Sequence, residues 1–333
     1  LKRIFSLWFY YNYFKWKKLK GKYKGERVFL IGNGPSLNKT PLYLLKDEYT
    51  MVFNRFGLLF ERFNWKPNFF ITVDAVVAEN IKEELVKSTE FADYCFFPDI
   101  HKTENLDFRK FIPKKENVLF IHQEPLKFSI FLPIIGTGGT VAYEGFQILK
   151  YLGFSEIYFL GVDMNYVIHT NIEVIKGNAI ESKGDDDPNH FDPRYCGKGQ
   201  KFHQPDEKVM KNIWDGLKRL SKKLPSKKCK VINVGYDSEV KCFPKKDFEE
   251  ILDYSETKKK ELFVDVIKKY GINSMEELFS ISIDLKLTKK WSDSDRVQFM
   301  STDDAQNYIK EKIFTHIPLG PYQGKVYFFR RND

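Results

Sequence analysis

Seven short apolar runs separated by helical patterns restrict the fold of this chain more than any other feature. They are Arg27–Gly32, Thr50–Arg55, Asn68–Val73, Tyr94–Phe97, Asn117–His122, Glu156–Val162 and Lys228–Val234. Each is rich in Val, Ile, Phe or Tyr and apolar throughout rather than alternately, the pattern of a strand covered on both faces. Helices are predicted over Val76–Ser88, Val141–Leu152 and Asp206–Leu224. In the second, Val141, Ala142, Gly145, Phe146, Leu149 and Leu152 fall on one stripe. Strands and helices in alternation predict an α/β protein: a Rossmann-like, doubly wound, mainly parallel sheet of about seven strands with helices on both faces.

Three regions stand outside that alternation. Residues 166–204 carry Gly, Asp, Asn and Pro with little periodicity, and a segment this long inside a domain reads as a lid. Residues 251–333 read as a helical C-terminal extension, with Met275–Ile283 as one helical stretch. Residues 1–24 form a basic aromatic segment, so that 25–250 is the expected catalytic domain. The first 20 residues hold six basic side chains, eight aromatics and no acid. That mixture suits either peripheral contact with a bilayer surface or a helix packed on protein. The segment does not read as a signal peptide, and no apolar stretch of about 18 residues predicts a membrane-spanning helix.

The formal charge of +9, from 54 basic and 45 acidic residues, favours anionic partners without choosing among them. No basic block interleaved with aromatics points to nucleic acid. Cys95, Cys196, Cys229 and Cys242 form no CxxC pair and no zinc spacing, which predicts reduced thiols and a cytoplasmic protein, at the inner face of the cytoplasmic membrane if residues 1–20 bind it.

Four motifs carry chemistry. Gly32-Asn33-Gly34-Pro35-Ser36-Leu37 follows the first strand, where glycines allow close backbone approach and a helix start offers N–H groups to phosphate. Gly136-Thr137-Gly138-Gly139-Thr140 precedes a helix and forms a second anion cradle or, alternatively, a loop capped by Thr140. Asp163 ends the strand Phe159-Leu160-Gly161-Val162, and Asn54 and Asp74 end strands in the same way, at the edge where open α/β sheets bind ligands. His203 lies ahead of the helix near Pro205, where an imidazole can act as general base, with Gly197 and Gly199 loosening the preceding loop. His190 is a rival in the same lid. Asp185–Asp187 reads as a solvated acidic run.

These motifs, in this order over about residues 25–250, resemble the bacterial sialyltransferases of glycosyltransferase family 42. They resemble still more the hydroxymethylpterin pyrophosphokinase-like domain found in motility accessory proteins. The resemblance implies a glycosyltransferase that moves an acidic sugar from a CMP-sugar to a hydroxyl of a surface glycan or glycolipid, in bacterial lipopolysaccharide or capsule biosynthesis. It implies that Gly32, Asn33, Gly34 and Ser36 meet the nucleotide, that Asn54, Asp74 and Asp163 surround it, and that Thr137, Gly138, Gly139 and Thr140 hold the sugar carboxylate and cytidine. His203 would be the base, with Tyr166 and Tyr195 stabilising the leaving phosphate. Ile135 and Gly136 stand where those enzymes carry an arginine, which leaves sialic acid, Kdo and similar nonulosonates as donors. No metal or cofactor is required under this expectation. The alternatives are a Mg2+- and ATP-dependent pyrophosphokinase acting on a hydroxymethylpterin, with Asp74, Asp163 and Asp185–Asp187 as ligands, and a non-catalytic nucleotide-binding protein. A homo-oligomer is left open.

Overall fold

The computed structural model describes residues 7–252 except 41, 62–64, 102–104, 126–127 and 177–178, together with 316–322 and 325–330. Helix α1 (Leu7–Leu19) leads into strands β1 (Arg27–Ile31), β2 (Tyr49–Phe53) and β3 (Phe69–Ile71). Helices α2 (Ala75–Asn80) and α3 (Lys82–Phe91) precede β4 (Tyr94–Pro98) and a small hairpin of β5 (Ile100–His101) and β6 (Leu106–Asp107). Then come β7 (Val118–Glu124), β8 (Ile134–Gly136), α4 (Val141–Leu152) and β9 (Glu156–Leu160). The remaining elements are β10 (Ile172–Lys176), β11 (Ala179–Ser182), β12 (Lys201–His203), α5 (Glu207–Lys223), β13 (Lys230–Asn233), α6 (Phe248–Ile251), β14 (His316–Tyr322) and β15 (Lys325–Arg330).

The main sheet has eight strands in the order β13-β9-β1-β2-β3-β4-β7-β8, and every neighbouring pair is parallel. All seven expected strands are in it, and the three-residue β8 extends it beyond β7. The chain starts at β1, walks outward to β8 and then returns to the other side of β1 with β9. Strand order therefore reverses between β1 and β9, the position where sheets of this kind open a crevice at their carboxyl ends.

Both faces are apolar, as continuous hydrophobic strands require. Val28, Leu30, Phe69, Ile71, Ile157 and Phe159 turn to one core with α1, α4 and α5. Phe29, Ile31, Phe70, Tyr158 and Leu160 turn to a second core with Leu37, Ala78 and Leu85. Gly145 lets α4 lie close on the sheet: a Cβ there would come within 3.2–3.3 Å of Leu30, Met51 and Phe53 side chains.

Helix α1 closes an exposed strand edge. β8 pairs only with His122–Glu124, so the start of β7 lacks a neighbour on that side. Asn12 fills the gap: its Nδ2 donates to the Phe120 carbonyl at 2.8 Å, and the Phe120 amide donates to its Oδ1 at 3.0 Å. Trp16 Nε1 donates to the same carbonyl at 2.8 Å. An unpaired ladder group buried there would be costly. The opposite face of α1 leaves Tyr10, Tyr11, Tyr13 and Phe14 exposed. No described helix is long and apolar enough to cross a membrane.

Two expectations need correction. The single helix over Val76–Ser88 is two helices that meet at Ile81, whose φ of −121° and ψ of 28° are not helical. The lid is also more ordered than its composition suggested, because β10, β11 and β12 form a three-stranded antiparallel sheet within it. Of the C-terminal extension, which begins where α6 ends, the described elements are the antiparallel strands β14 and β15; Met275–Ile283 lies outside the described residues.

Candidate functional site

A cavity of about 750 Å³ lies at the carboxyl ends of β1, β2, β3, β7 and β9. Twelve of the fourteen residues singled out from sequence line it: Gly32, Asn33, Gly34, Asn54, Asp74, Thr137, Gly139, Thr140, Asp163, Tyr166, Tyr195 and His203. The two that do not are Ser36 and Gly138. Ser36 faces inward, its amide donating to Asp163 Oδ2 at 2.9 Å and its hydroxyl to Oδ1 at 2.6 Å. Gly138 is pressed against the Tyr143 ring, which a Cβ would meet at 2.1 Å.

The glycine turn after β1 is a backbone joint before it is an anion site. The Gly32 amide donates to the Leu160 carbonyl and the Gly34 amide to the Gly161 carbonyl, both at 2.8 Å. A Cβ on Gly32 would stand 2.2 Å from the Gly161 oxygen, and Gly161 itself has φ +64°. With Gly32, Gly34 and Ser36 amides all engaged, the expected phosphate cradle of N–H groups is not open there. At the start of α4, Thr140 holds the cap position without a side-chain capping bond, and Val141 and Ala142 line the cavity; a helix start of this kind offers N–H groups to an anion. Asn33 remains a ligand candidate at the turn, since its Oδ1 is buried without a partner while Nδ2 donates to the Phe53 carbonyl and the Tyr195 hydroxyl.

Asp163 binds Ser36 with both oxygens, and burial outweighs those bonds and raises its pKa. Asp74 caps α2, its Oδ1 accepting from Val76 and Val77 amides. Asn54 has φ +46° and accepts from the Thr72 hydroxyl. Backbone in that region is uncommon outside glycine and clusters at functional sites.

Residues 187–196 are docked on the glycine turn. The Phe191 amide donates to the Asn33 carbonyl at 2.9 Å, and Asn38 Nδ2 to the Phe191 carbonyl at 3.0 Å. Arg55 donates to the carbonyls of Arg194 and Tyr195 at 2.7 and 2.6 Å while its other nitrogens pair with Glu84. Sequence alone does not single out Arg55, because its apolar neighbours make it the end of a strand. Burial pushes the Tyr195 phenol well above its ordinary value, so it acts as a hydroxyl and not a phenolate.

The histidines sort differently from expectation. His203 lines the cavity from β12 rather than from a helix end, because Asp206 caps α5 by accepting from the Val209 amide. His190 also lines it, stacked on Tyr195 with centroids 3.8 Å apart and bonded through Nδ1 to Asp187 Oδ2 at 2.7 Å. The Asp185–Asp187 run is exposed at Asp185 and Asp186, as expected, but buried at Asp187. Asp185 accepts from the Lys198 amide, Asp186 binds His169 and Asn171, and Asp187 is buried beneath His190. Burial opposes ionisation of Asp187, but His190 and the Asn189 and Cys196 amides hold its pKa low.

Of the aspartates offered as ligands under the Mg2+ alternative, Asp187 joins His190 and Cys196 in bringing three donor atoms within 4.8 Å of one another. Oxygen, nitrogen and sulfur together suit a borderline ion of the zinc type, whereas Mg2+ demands an oxygen shell. Both oxygens of Asp163 accept from Ser36, and both of Asp187 are hydrogen-bonded within residues 187–196.

The family model for 6-hydroxymethylpterin diphosphokinase MptE-like proteins matches residues 8–169. The link is distant. It runs through the sheet up to β9 and takes in the glycine turn, the threonine cradle and Asp163, and it ends before the sheet of the lid. Among curated proteins none matches the chain. Among solved structures, the chain is similar to the Maf glycosyltransferase from Magnetospirillum magneticum AMB-1, at 13% identity and a TM-score of 0.41, over 95% of this chain and 55% of that one. It thus spans about half the length of that protein. It is also similar to the sialyltransferase CstII from Campylobacter jejuni. For the complex with CMP-3FNeuAc the identity is 13% and the TM-score 0.36, over 66% of this chain and 85% of that one. For the complex with cytidine-5'-monophosphate they are 15% and 0.39, over 67% and 85%. Scores of this size do not extend to a shared reaction.

Proposed function

We propose that this chain is a nucleotide-dependent transferase acting at the carboxyl edge of its sheet. The observation that carries the reading is the convergence of Asn33, the start of α4, Tyr195 and His203 on one cavity of about 750 Å³, a size that takes a nucleotide and a small partner. Nucleotide phosphate lies between Asn33 and the first turn of α4, held by Thr137 and Thr140 hydroxyls and amide groups. Residues 166–204 keep water out, and His203 accepts the proton of the attacking hydroxyl.

The family match favours diphosphoryl transfer from ATP to the hydroxymethyl group of a pterin. The hydroxymethyl oxygen attacks the β-phosphorus, the bond from that phosphorus to the AMP oxygen breaks, AMP departs, and the proton passes to His203. Magnesium would arrive with the nucleotide. The second reading is transfer of an acidic sugar from a CMP-sugar to a glycan or glycolipid hydroxyl, with Tyr166 and Tyr195 donating to the departing CMP. What favours it is that Tyr166 and Tyr195 both line the cavity.

Turnover with ATP and 6-hydroxymethylpterin, and with CMP-sugars, each with and without EDTA, separates the two. Release of AMP that EDTA abolishes supports the first reading; release of CMP that EDTA spares supports the second. A chain stabilised by neither ATP nor CMP in a thermal melt is no nucleotide-dependent enzyme. The exposed aromatic face of α1 with Lys17, Lys18 and Lys20 behind it supports peripheral contact with an anionic bilayer in either case.

A further inference from the structure

Helix α4 buries two long polar side chains, and they are treated very differently. Gln147 uses every group it has. Its oxygen accepts from the amides of Ser129 and Gly136, and its nitrogen donates to the carbonyls of Gly136 and Tyr143. It fastens β8 to the helix and is structural. Glu144, one turn earlier, is 2% exposed and lines the cavity. Its Oε1 receives one long bond of 3.5 Å from Gln123 Nε2, and its Oε2 has no partner. A carboxyl in the first turn of a helix ordinarily sits in water, where it favours the helix dipole at little cost. Buried, it is expensive unless something pairs with it.

We propose that Glu144, assisted by Gln123, binds the polar edge of a flat amino-heterocycle of the pterin type. This rests on the diphosphokinase reading and deepens it. The position suits the task. Glu144 lies one turn inside the end of α4 assigned to phosphate, so a ring held there points its hydroxymethyl group toward the nucleotide. The chemistry suits it as well. Burial raises the Glu144 pKa to about 8, so at neutral pH it is an uncharged acid. Because Gln123 donates to Oε1, that oxygen is the carbonyl, and Oε2 carries the proton. The O–H then donates to a ring nitrogen while Oε1 accepts from the neighbouring amino group. An uncharged acid there also does not repel phosphate at the start of α4.

The test measures binding of 6-hydroxymethylpterin by fluorescence, and of ATP and CMP by calorimetry, to the full chain and to Glu144→Leu and Glu144→Gln. Glu144→Leu should weaken pterin binding by about ten-fold or more, with nucleotide binding unchanged. Glu144→Gln, which keeps a donor beside an acceptor, should stay within about three-fold of the parent. Unchanged pterin affinity in Glu144→Leu overturns the assignment and leaves the diphosphokinase reading standing. Equal loss of pterin and nucleotide also overturns it, since Glu144 would then be structural. A parent chain that binds ATP or CMP but no pterin removes the diphosphokinase reading and this assignment together.

Discussion

At the scale of single residues, the cavity wall makes two separable predictions. His203→Ala should lower turnover by roughly 10²–10⁴-fold, the usual loss of a general base, while the thermal shift given by nucleotide stays as it was. Single-turnover kinetics check it, and an unaltered rate would transfer the role to His190. Glu144 governs a pH dependence of stability. Its folded value of about 8 lies above the ordinary 4.5, so the folded chain keeps a proton that the unfolded chain releases between those values. Stability is therefore fullest below about pH 4.5 and is lost as pH rises through about 8. Melting temperatures taken from pH 5 to about 9 should fall for the parent by an amount that Glu144→Gln largely abolishes, worth a few kcal/mol. Most single residues of the site were legible because strand ends and glycine turns mark an edge of the sheet. Arg55 and Glu144 were not: one sits in an apolar run, and the other looks like any acid in a helix's first turn.

At the scale of elements, what was legible followed burial. Strands covered on both faces announce themselves by unbroken apolar character, and all seven did. Three residues of β8 are too few to show a pattern, and β10 leaves Val174 and Ile175 exposed, so its periodicity is weak. The break between α2 and α3 has no proline or glycine to betray it; Asn80 bonds to the Lys201 carbonyl there, a contact that exists only in the tertiary structure. Helix α1 carries the element-level prediction. Asn12→Ala leaves the Phe120 amide without its acceptor and should cost about 1–3 kcal/mol, read from urea unfolding. Replacing Tyr10, Tyr11, Tyr13 and Phe14 by serine should leave stability nearly unchanged and abolish sedimentation with vesicles rich in anionic lipid; vesicle binding that survives would refute membrane contact through this face.

For the whole molecule, the lid depends on a clamp from the body. Arg55 ties Arg194 and Tyr195 to the segment after β2, and Glu84 holds Arg55 in place. Arg55→Ala should raise amide exchange across residues 187–196 by about ten-fold or more while the strands β1 and β9 keep their protection. Exchange that rises equally everywhere would mean a general loss of stability. The layered α/β architecture was legible from alternation alone. The company kept by residues 187–196 was not, since it depends on hydrogen bonds between segments more than a hundred residues apart.

The insertion of β9 beside β1 also bears on how such a chain is born. During synthesis β1 has its β2 neighbour within about twenty residues, but its other side stays bare until residue 160 has left the ribosome. For more than a hundred residues of translation, an apolar ladder is open to any passing strand. Joining Gly32 to Leu160 and Gly34 to Gly161 ends that exposure and builds the floor of the cavity in a single event. The outer edge of β9 then stays open in its turn until β13 emerges and pairs with it.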